Sequence, residues 1–268
     1  MRSVSIPLEI SKYLNNHFSQ EELCDMASSA YKKLSKGAPE VSIVIPAYNE
    51  EDNIVATLTS LCMNLTKRSV EIIVVNNNSK DRTQILSEAC GVKCVFQSVQ
   101  GITVSRNMGL SESVGKYILN ADADSIYPPN WIDRMVDPLR SDGIALTYGR
   151  FALIPTGSTG RMVYFFYEYL AEFSRWINSK IKDQAVNVYG FNSGFRKHQG
   201  IEVDGFNHPP GTNEDGWLAL KLRNKGYGKL FQVRDMDAIV WTTDRRIQLD
   251  GGLIRGFWLR LKRTITKK

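Results

Sequence analysis

Two aspartates one residue apart, Asp122 and Asp124, directly follow the apolar run Tyr117-Ile118-Leu119. Carboxylates so spaced at a strand end can approach one hard divalent cation. Mg2+ or Mn2+ prefers such oxygen ligands and keeps positions open for phosphate oxygens. Alone, the pattern also fits a solvated acidic turn. Two more polar turns follow apolar runs: Pro46-Ala47-Tyr48-Asn49-Glu50 after Val41–Ile45, and Asn76 to Asp81 after Glu71–Val75. Either could be a helix cap, and both lie where a nucleotide would sit. Gly101 to Gly109 adds a turn with Arg106 at a helix start. An arginine beside free backbone amides suits a diphosphate, and a surface ion pair is its plainer use.

These residues need a scaffold, and the apolar pattern supplies one. Strands are expected at Val41–Ile45, Glu71–Val75, Lys93–Phe96 and Tyr117–Leu119. Helices are expected between them, around Ile54 to Leu65, Ile85 to Ala89 and Asn107 to Ser113. Strands alternating with helices at this spacing imply βαβ units, an α/β fold and a mostly parallel sheet flanked by helices. In such sheets ligands bind beyond the carboxyl ends of the strands, so the turns after strands one, two and four should converge on one crevice. Further on, the pattern predicts a strand over Gly143 to Phe151 and a long amphipathic helix from Arg161 to Ile181. A charged turn then leads into a helix within Gly211 to Gly226, and a last strand runs from Ala238 to Trp241. Residues 1–40 read as a helical extension opened by the capping box Ser19-Gln20-Glu21-Glu22. Residues 41–246 form the main domain, and 247–268 a basic tail.

The net charge of +6 is concentrated in that tail, because eight Lys and Arg and one Asp lie from Arg245 onward. The body is nearly neutral, which argues against a nucleic-acid-binding face. No apolar run reaches the roughly 18–20 residues that span a bilayer, and the N-terminus lacks a secretory pattern. The four cysteines form no CxxC pair, and reduced thiols in the cytoplasm are expected. In the tail, Leu253, Ile254, Phe257, Trp258 and Leu261 interleave with Arg255, Arg260, Lys262 and Arg263. That is the pattern of a helix lying on an anionic membrane surface. The aromatics of the 161–181 helix are candidates to join it, giving a peripheral location on the cytoplasmic membrane face.

Taken together, the segments from Val41 to about Arg246 resemble the family 2 glycosyltransferases, of the nucleotide-diphospho-sugar transferase superfamily. The resemblance rests on the turn Pro46–Glu50, the turn after Val75, Gly101–Gly109, Asp122-Ala123-Asp124, and Asn213-Glu214-Asp215-Gly216-Trp217-Leu218 in that order. It implies a GT-A (Rossmann-like) fold and an inverting transfer of one sugar from a nucleotide-sugar, with a UDP-sugar foremost. It implies Mn2+ or Mg2+ as the cofactor. Pro46, Ala47, Tyr48 and Glu50 would wall the base, together with Asn76. Gly101 and Arg106 would lie near the diphosphate or donor sugar. Asp122 and Ala123 would contact donor, and Asp124 with Asp122 would ligate the metal. Asp215 matches the general base with Glu214 beside it, and Gly205-Phe206 looks like an acceptor-side segment.

Two departures stand out. Asn76 replaces an aspartate, which opens other bases, because an amide donates as well as accepts. Near the last strand, where some relatives place a third metal ligand, stands Asp244, read as a surface turn, followed by Arg245 and Arg246, which could close over a diphosphate. The Gln-x-x-Arg-Trp signature of processive polysaccharide synthases is absent, which favours single transfer. The acceptor would be a saccharide, or a lipid-linked saccharide of polysaccharide or glycolipid biosynthesis. The alternative is a nucleotide-sugar-binding module without catalysis. A dinucleotide oxidoreductase is excluded because no GxGxxG follows the first strand.

Overall fold

The computed structural model describes residues 3–14, 18–181, 183–249, 251–253 and 255. The chain opens with helices α1 (Leu8–Ser11) and α2 (Gln20–Leu34). Strands and helices then alternate as β1 (Val41–Ala47), α3 (Ile54–Cys62), β2 (Val70–Asn76), α4 (Thr83–Ala89), β3 (Lys93–Phe96), α5 (Ile102–Glu112) and β4 (Tyr117–Asn120). Next come β5 (Ser125–Ile126), α6 (Trp131–Val136), β6 (Ile144–Tyr148), β7 (Phe151–Ile154), α7 (Arg161–Ile181), β8 (Ser193–Arg196) and α8 (Lys197–Glu202). The described elements close with α9 (Glu214–Asn224), β9 (Lys229–Gln232), β10 (Val240–Thr243) and α10 (Arg245–Leu249).

The main sheet has the order β3-β2-β1-β4-β8-β6-β9. Its first four strands are parallel neighbours, as the alternation predicts. β1 and β2 are β-branched and covered on both faces, the usual condition of parallel strands. Side chains alternate between two cores. Ile43, Ile45, Ile72 and Val74 join α2, α3 and α6 on one face, while Val44, Ile73 and Ile118 meet Leu110 of α5 and Leu218 of α9 on the other. Gly109 is what lets α5 lie directly on β1, since a Cβ there would overlap Val44.

The N-terminal capping box closes as its spacing predicts: Glu22 N–H donates to Ser19 Oγ at 3.1 Å, and Ser19 N–H to Glu22 Oε2 at 2.6 Å. Leu23, Cys24 and Ala27 of α2 then pack into the core shared with α3.

Four features differ from the sequence expectation. The stretch 143–151 is not one strand. It divides into β6 and β7 in separate sheets, because the chain turns at Gly149, whose N–H donates to Asn192 O at 2.9 Å. β7 belongs to a small second sheet of order β5-β10-β7. β8, unforeseen, inserts antiparallel between β4 and β6. α7 spans the expected residues, yet its buried side chains include Glu168 and Arg175 while Phe166, Leu170, Phe173 and Trp176 face outward. Most of the basic tail, including Phe257, Trp258 and Leu261, lies outside the described residues.

Asp244 is the fourth difference, being buried where a surface turn was expected. Its carboxylate accepts from Thr156 N–H at 2.9 Å, Gln248 Nε2 at 2.8 Å, and the Thr156 and Tyr164 hydroxyls. It thereby ties α10 to α7 and to the end of β7. Burial alone would raise its pKa, but the hydrogen bonds from Thr156, Tyr164 and Gln248 outweigh it and hold the group below its ordinary value. Such a group contributes stability at neutral pH that is lost as pH falls through its folded pKa. Asp244→Ala, which orphans these donors, should therefore cost about 2–4 kcal/mol in urea unfolding at pH 7. The deficit relative to wild type should shrink on acidification.

Candidate active site

The turns after β1 and β2 are stitched together by their own polar groups. Asn49 N–H donates to Ser79 Oγ at 3.0 Å, Lys80 N–H to Asn49 Oδ1 at 2.8 Å, and Glu50 N–H to Thr83 Oγ1 at 2.8 Å. Asn49 takes the left-handed conformation (φ 53°), which asparagine tolerates better than most residues. Pro46 and Ala47 finish β1, and Tyr48 stands half-exposed on the turn. Glu50 is buried and paired with Arg245. Asn76 uses both ends of its amide inside the turn: Oδ1 accepts from Ser79 N–H and Nδ2 donates to Gln84 Oε1, each at 3.0 Å. Gly101 caps α5 at φ 149°, and its N–H is committed to Asn77 Oδ1 at 2.8 Å.

Arg106 sits in the second turn of α5, not at its free start, and is buried instead of forming a surface pair. Its Nη2 donates to Asp122 Oδ1 at 2.9 Å and its Nη1 to Ala121 O at 3.2 Å. On its other side, Nε lies 3.9 Å from Asp215 Oδ1, and neither of these two buried atoms has a hydrogen-bond partner among the described residues. One guanidinium thus joins the turn after β4 to the first turn of α9. Asn213 caps α9 by accepting from Gly216 N–H at 2.7 Å, which sets Glu214 and Asp215 at the helix N-terminus.

The Asp215 side chain is only 7% exposed. Burial pushes its pKa up to about 7; Arg106 opposes the rise, while the charges of Glu214 and Asp122 and a hydrogen bond with the Gly190 backbone act in turn to raise, raise and lower it. Asp122 is also held above the usual carboxylate range. Desolvation by the surrounding protein is the main cause, opposed by Arg106 and reinforced by the neighbouring charge of Asp124.

The charge of Asp124 thus acts on Asp122. Asp122 engages Arg106 through Oδ1, and Asp124 receives Thr243 Oγ1 at 2.9 Å and Arg245 Nη2 at 3.4 Å through Oδ2. Thr57 Oγ1 donates to the carbonyl of Ala123 between them at 2.8 Å and fixes the turn. Two neighbouring carboxylates on one turn fit a divalent cation, for which they would supply the protein oxygens. Among the described residues no group of three or more His, Cys, Asp and Glu could hold a metal unaided. A magnesium-type cation bound through one or two carboxylates and substrate phosphates does not need one. Asp244 is not a third ligand here, because its carboxylate is filled by the network that ties α10 to α7. Arg245 instead bridges Glu50 of the first turn and Asp124 of the third.

Two residues of this site escaped the sequence reading. The buried Tyr127 hydroxyl accepts from Asp122 N–H at 2.9 Å and donates to Phe191 O at 3.0 Å, fastening the acidic turn to the 190–192 segment. Gly190 lies where a Cβ would overlap both Asp215 and Arg106. A glycine in an aromatic-rich stretch was the available signal. Phe206, by contrast, is a core residue, packed edge-on against Phe195 at 5.8 Å.

The convergence of these turns with α9 sits in a sequence that matches known proteins. Residues 42–198, more than half of the chain, match the family model described as Glycosyl transferase family 2. The probable glycosyltransferase YdaM of Bacillus subtilis is 29% identical over 215 residues, which covers 74% of this chain and 50% of that protein. The chain spans between 19% and 50% of the length of the curated relatives it matches. Among solved structures, the mannosyltransferase PcManGT from Pyrobaculum calidifontis in complex with GDP-Man and Mn2+ superposes with a TM-score of 0.58 at 17% identity. That match covers 91% of this chain and 76% of that one. Glucosyl-3-phosphoglycerate synthase from Mycobacterium tuberculosis, in complex with Mn2+, UDP-Glc and phosphoglyceric acid, gives 0.53 at 20% identity, covering 85% and 77%. The structural likeness carries the fold and the sequence match carries the family: this chain belongs to glycosyl transferase family 2 and has the GT-A fold.

Proposed function

We propose that this protein is an inverting, divalent-cation-dependent glycosyltransferase that moves a single sugar from a nucleoside-diphosphate sugar to the hydroxyl of a saccharide acceptor. A lipid-linked acceptor at the cytoplasmic membrane surface is the class we favour. The observation that carries this reading is the buried Arg106, shared between Asp122 of the cation turn and Asp215 of α9. It sets the buried Asp215, whose pKa burial raises to about 7, near the acidic turn where a diphosphate would be held. Solved GT-A neighbours with Mn2+ and a GDP- or UDP-sugar support the same reading.

The residues divide the work. Asp122 and Asp124 would hold Mn2+ or Mg2+. When bound, that cation supplies neutralising charge for a departing nucleoside diphosphate. Tyr48, half-exposed on its turn, would border the base, together with the buried Asn76. Arg245 already spans the first and third turns and lies within reach of the same anionic region. Asp215 accepts the proton of the acceptor hydroxyl as its oxygen attacks the anomeric carbon, and the bond to the diphosphate breaks on the opposite side. One base and one displacement give inversion. Arg106 keeps a buried carboxylate ionisable near neutrality without making it too weak a base.

Asp215→Asn should retain donor and Mn2+ binding, measured by calorimetry, while kcat falls by about 100-fold or more. Because Asp215 must be ionised to accept a proton and its pKa is raised to about 7, kcat/KM should rise with pH through that region and level off above it. Asn76 tests base selection. Competition by a panel of nucleoside diphosphates should show broader base acceptance in the wild type than in Asn76→Asp, which should narrow toward uridine. A strict uridine preference unchanged by the substitution would count against this role.

A further inference from the structure

We infer that α7 is a membrane-docking helix whose outward apolar face lies in the headgroup region of an anionic bilayer, beside the cleft. The inference deepens the proposed function, since it rests on the reading that the acceptor is lipid-linked.

The argument begins with which side chains α7 turns inward. Glu168 is buried, accepts from Leu153 N–H at 2.7 Å and pairs with Arg161 at 3.0 Å. Glu172 pairs with Arg150 at 3.3 Å, and the Arg175 guanidinium lies over the rings of Phe151 and Tyr189. Both acids of the helix and two of its arginines are thus used against the protein. Phe166, Leu170, Phe173 and Trp176 point the other way and are 56–67% exposed. They recur at intervals of three and four residues and form one stripe. A helix in water alone would present the opposite arrangement. A contiguous exposed apolar surface marks an interaction site, and the aromatic content of this one suits the membrane interface.

Charge selects the partner. Leu253 packs against the cluster of Leu153, Tyr164 of α7 and Ile247. The described chain thus meets α7 at Leu253, and the sequence after Arg255 adds five Lys and Arg and no acid. Two copies facing each other through this region would bring like charges together, whereas an anionic lipid surface attracts them. No helix among the described residues is long and apolar enough to cross a membrane, so α7 lies on the surface.

Position links the surface to catalysis. Near its start, α7 holds Asp244 through Tyr164, next to Arg245. Near its end, Arg175 covers Tyr189, next to Gly190 and Asp215. Val186 and Tyr189, 52% and 36% exposed, add apolar surface in the segment that leads to Gly190. A lipid anchor resting in the bilayer would leave its saccharide at the cleft.

The test is cosedimentation of the full chain with vesicles of phosphatidylcholine alone or with added phosphatidylglycerol. Binding should require the anionic lipid and weaken with salt. Phe166→Glu combined with Phe173→Glu should reduce partitioning at least about tenfold, with thermal unfolding and Mn2+-dependent nucleoside-diphosphate binding unchanged. Failure of the wild type to bind anionic vesicles, or wild-type partitioning by the double variant, overturns the inference. So does a dimer, lost in the double variant, with no lipid binding, which would assign the stripe to a second copy. Mn2+-dependent hydrolysis of the nucleotide-sugar, which needs no lipid acceptor, is measured as turnover in vesicle-free buffer in parallel. Absent turnover strikes the catalytic reading, while absent vesicle binding with turnover intact strikes only the docking.

Discussion

The rest of the site depends on one buried cation, the guanidinium of Arg106. A charge removed from water is tolerated only when it is paired and hydrogen-bonded, because desolvation otherwise exceeds any gain. Asp122 and Ala121 O supply that pairing from one side, and Asp215 supplies charge from the other. Two acids share one base, so the array retains negative charge. Burial, with the neighbouring acids adding to it, holds both carboxylates above their ordinary range. Removing the guanidinium would leave the buried Asp215 without its counter-charge, and the loop after β4 would lose its tie to α9.

The surrounding structure keeps this array in register. Tyr127 clamps the backbone of Asp122 to Phe191, and the absent side chain of Gly190 provides the room in which Arg106 and Asp215 approach. Arg245 connects the first turn to the third from outside. Parts distant in the sequence therefore meet through hydrogen bonds and ion pairs between groups of different turns.

The sequence made the first half of the domain legible because its information there is local. β-branched runs alternate with amphipathic helices between Val41 and Asn120, and polar turns punctuate them, so strand direction and the location of the crevice follow from pattern alone. The Asp122-Ala123-Asp124 turn could be placed at a strand tip on the same grounds. The second half is governed by distant pairing. Ser193–Arg196 has too little alternation to announce a strand and becomes one because β4 and β6 flank it. Thr242-Thr243-Asp244-Arg245-Arg246 looks like a solvated turn. The partners that bury Asp244, Thr156 and Tyr164, lie 88 and 80 residues earlier. Arg106 was found by type and neighbourhood, but its use as a shared internal counter-charge required knowing that Gly190 and α9 close over it. The helix 161–181 was legible as a span, whereas the orientation of its two faces was not, since periodicity gives the angle of a stripe and not what it meets.

Gly109 has a wider consequence. Three residues beyond Arg106, it brings the α5 backbone into van der Waals contact with Val44 of β1. The distance from sheet to guanidinium is thus set by main chain against side chain, with almost no slack. A bulkier residue there would lift the helix and withdraw the cation from both its acids. In the proposed transferase, diversification falls at the rim, in residues such as the exposed Tyr48, while the spacing between the acidic turn and Asp215 behaves as a fixed gauge. New donors or acceptors could be admitted by redecorating that rim without rebuilding the machinery beneath it.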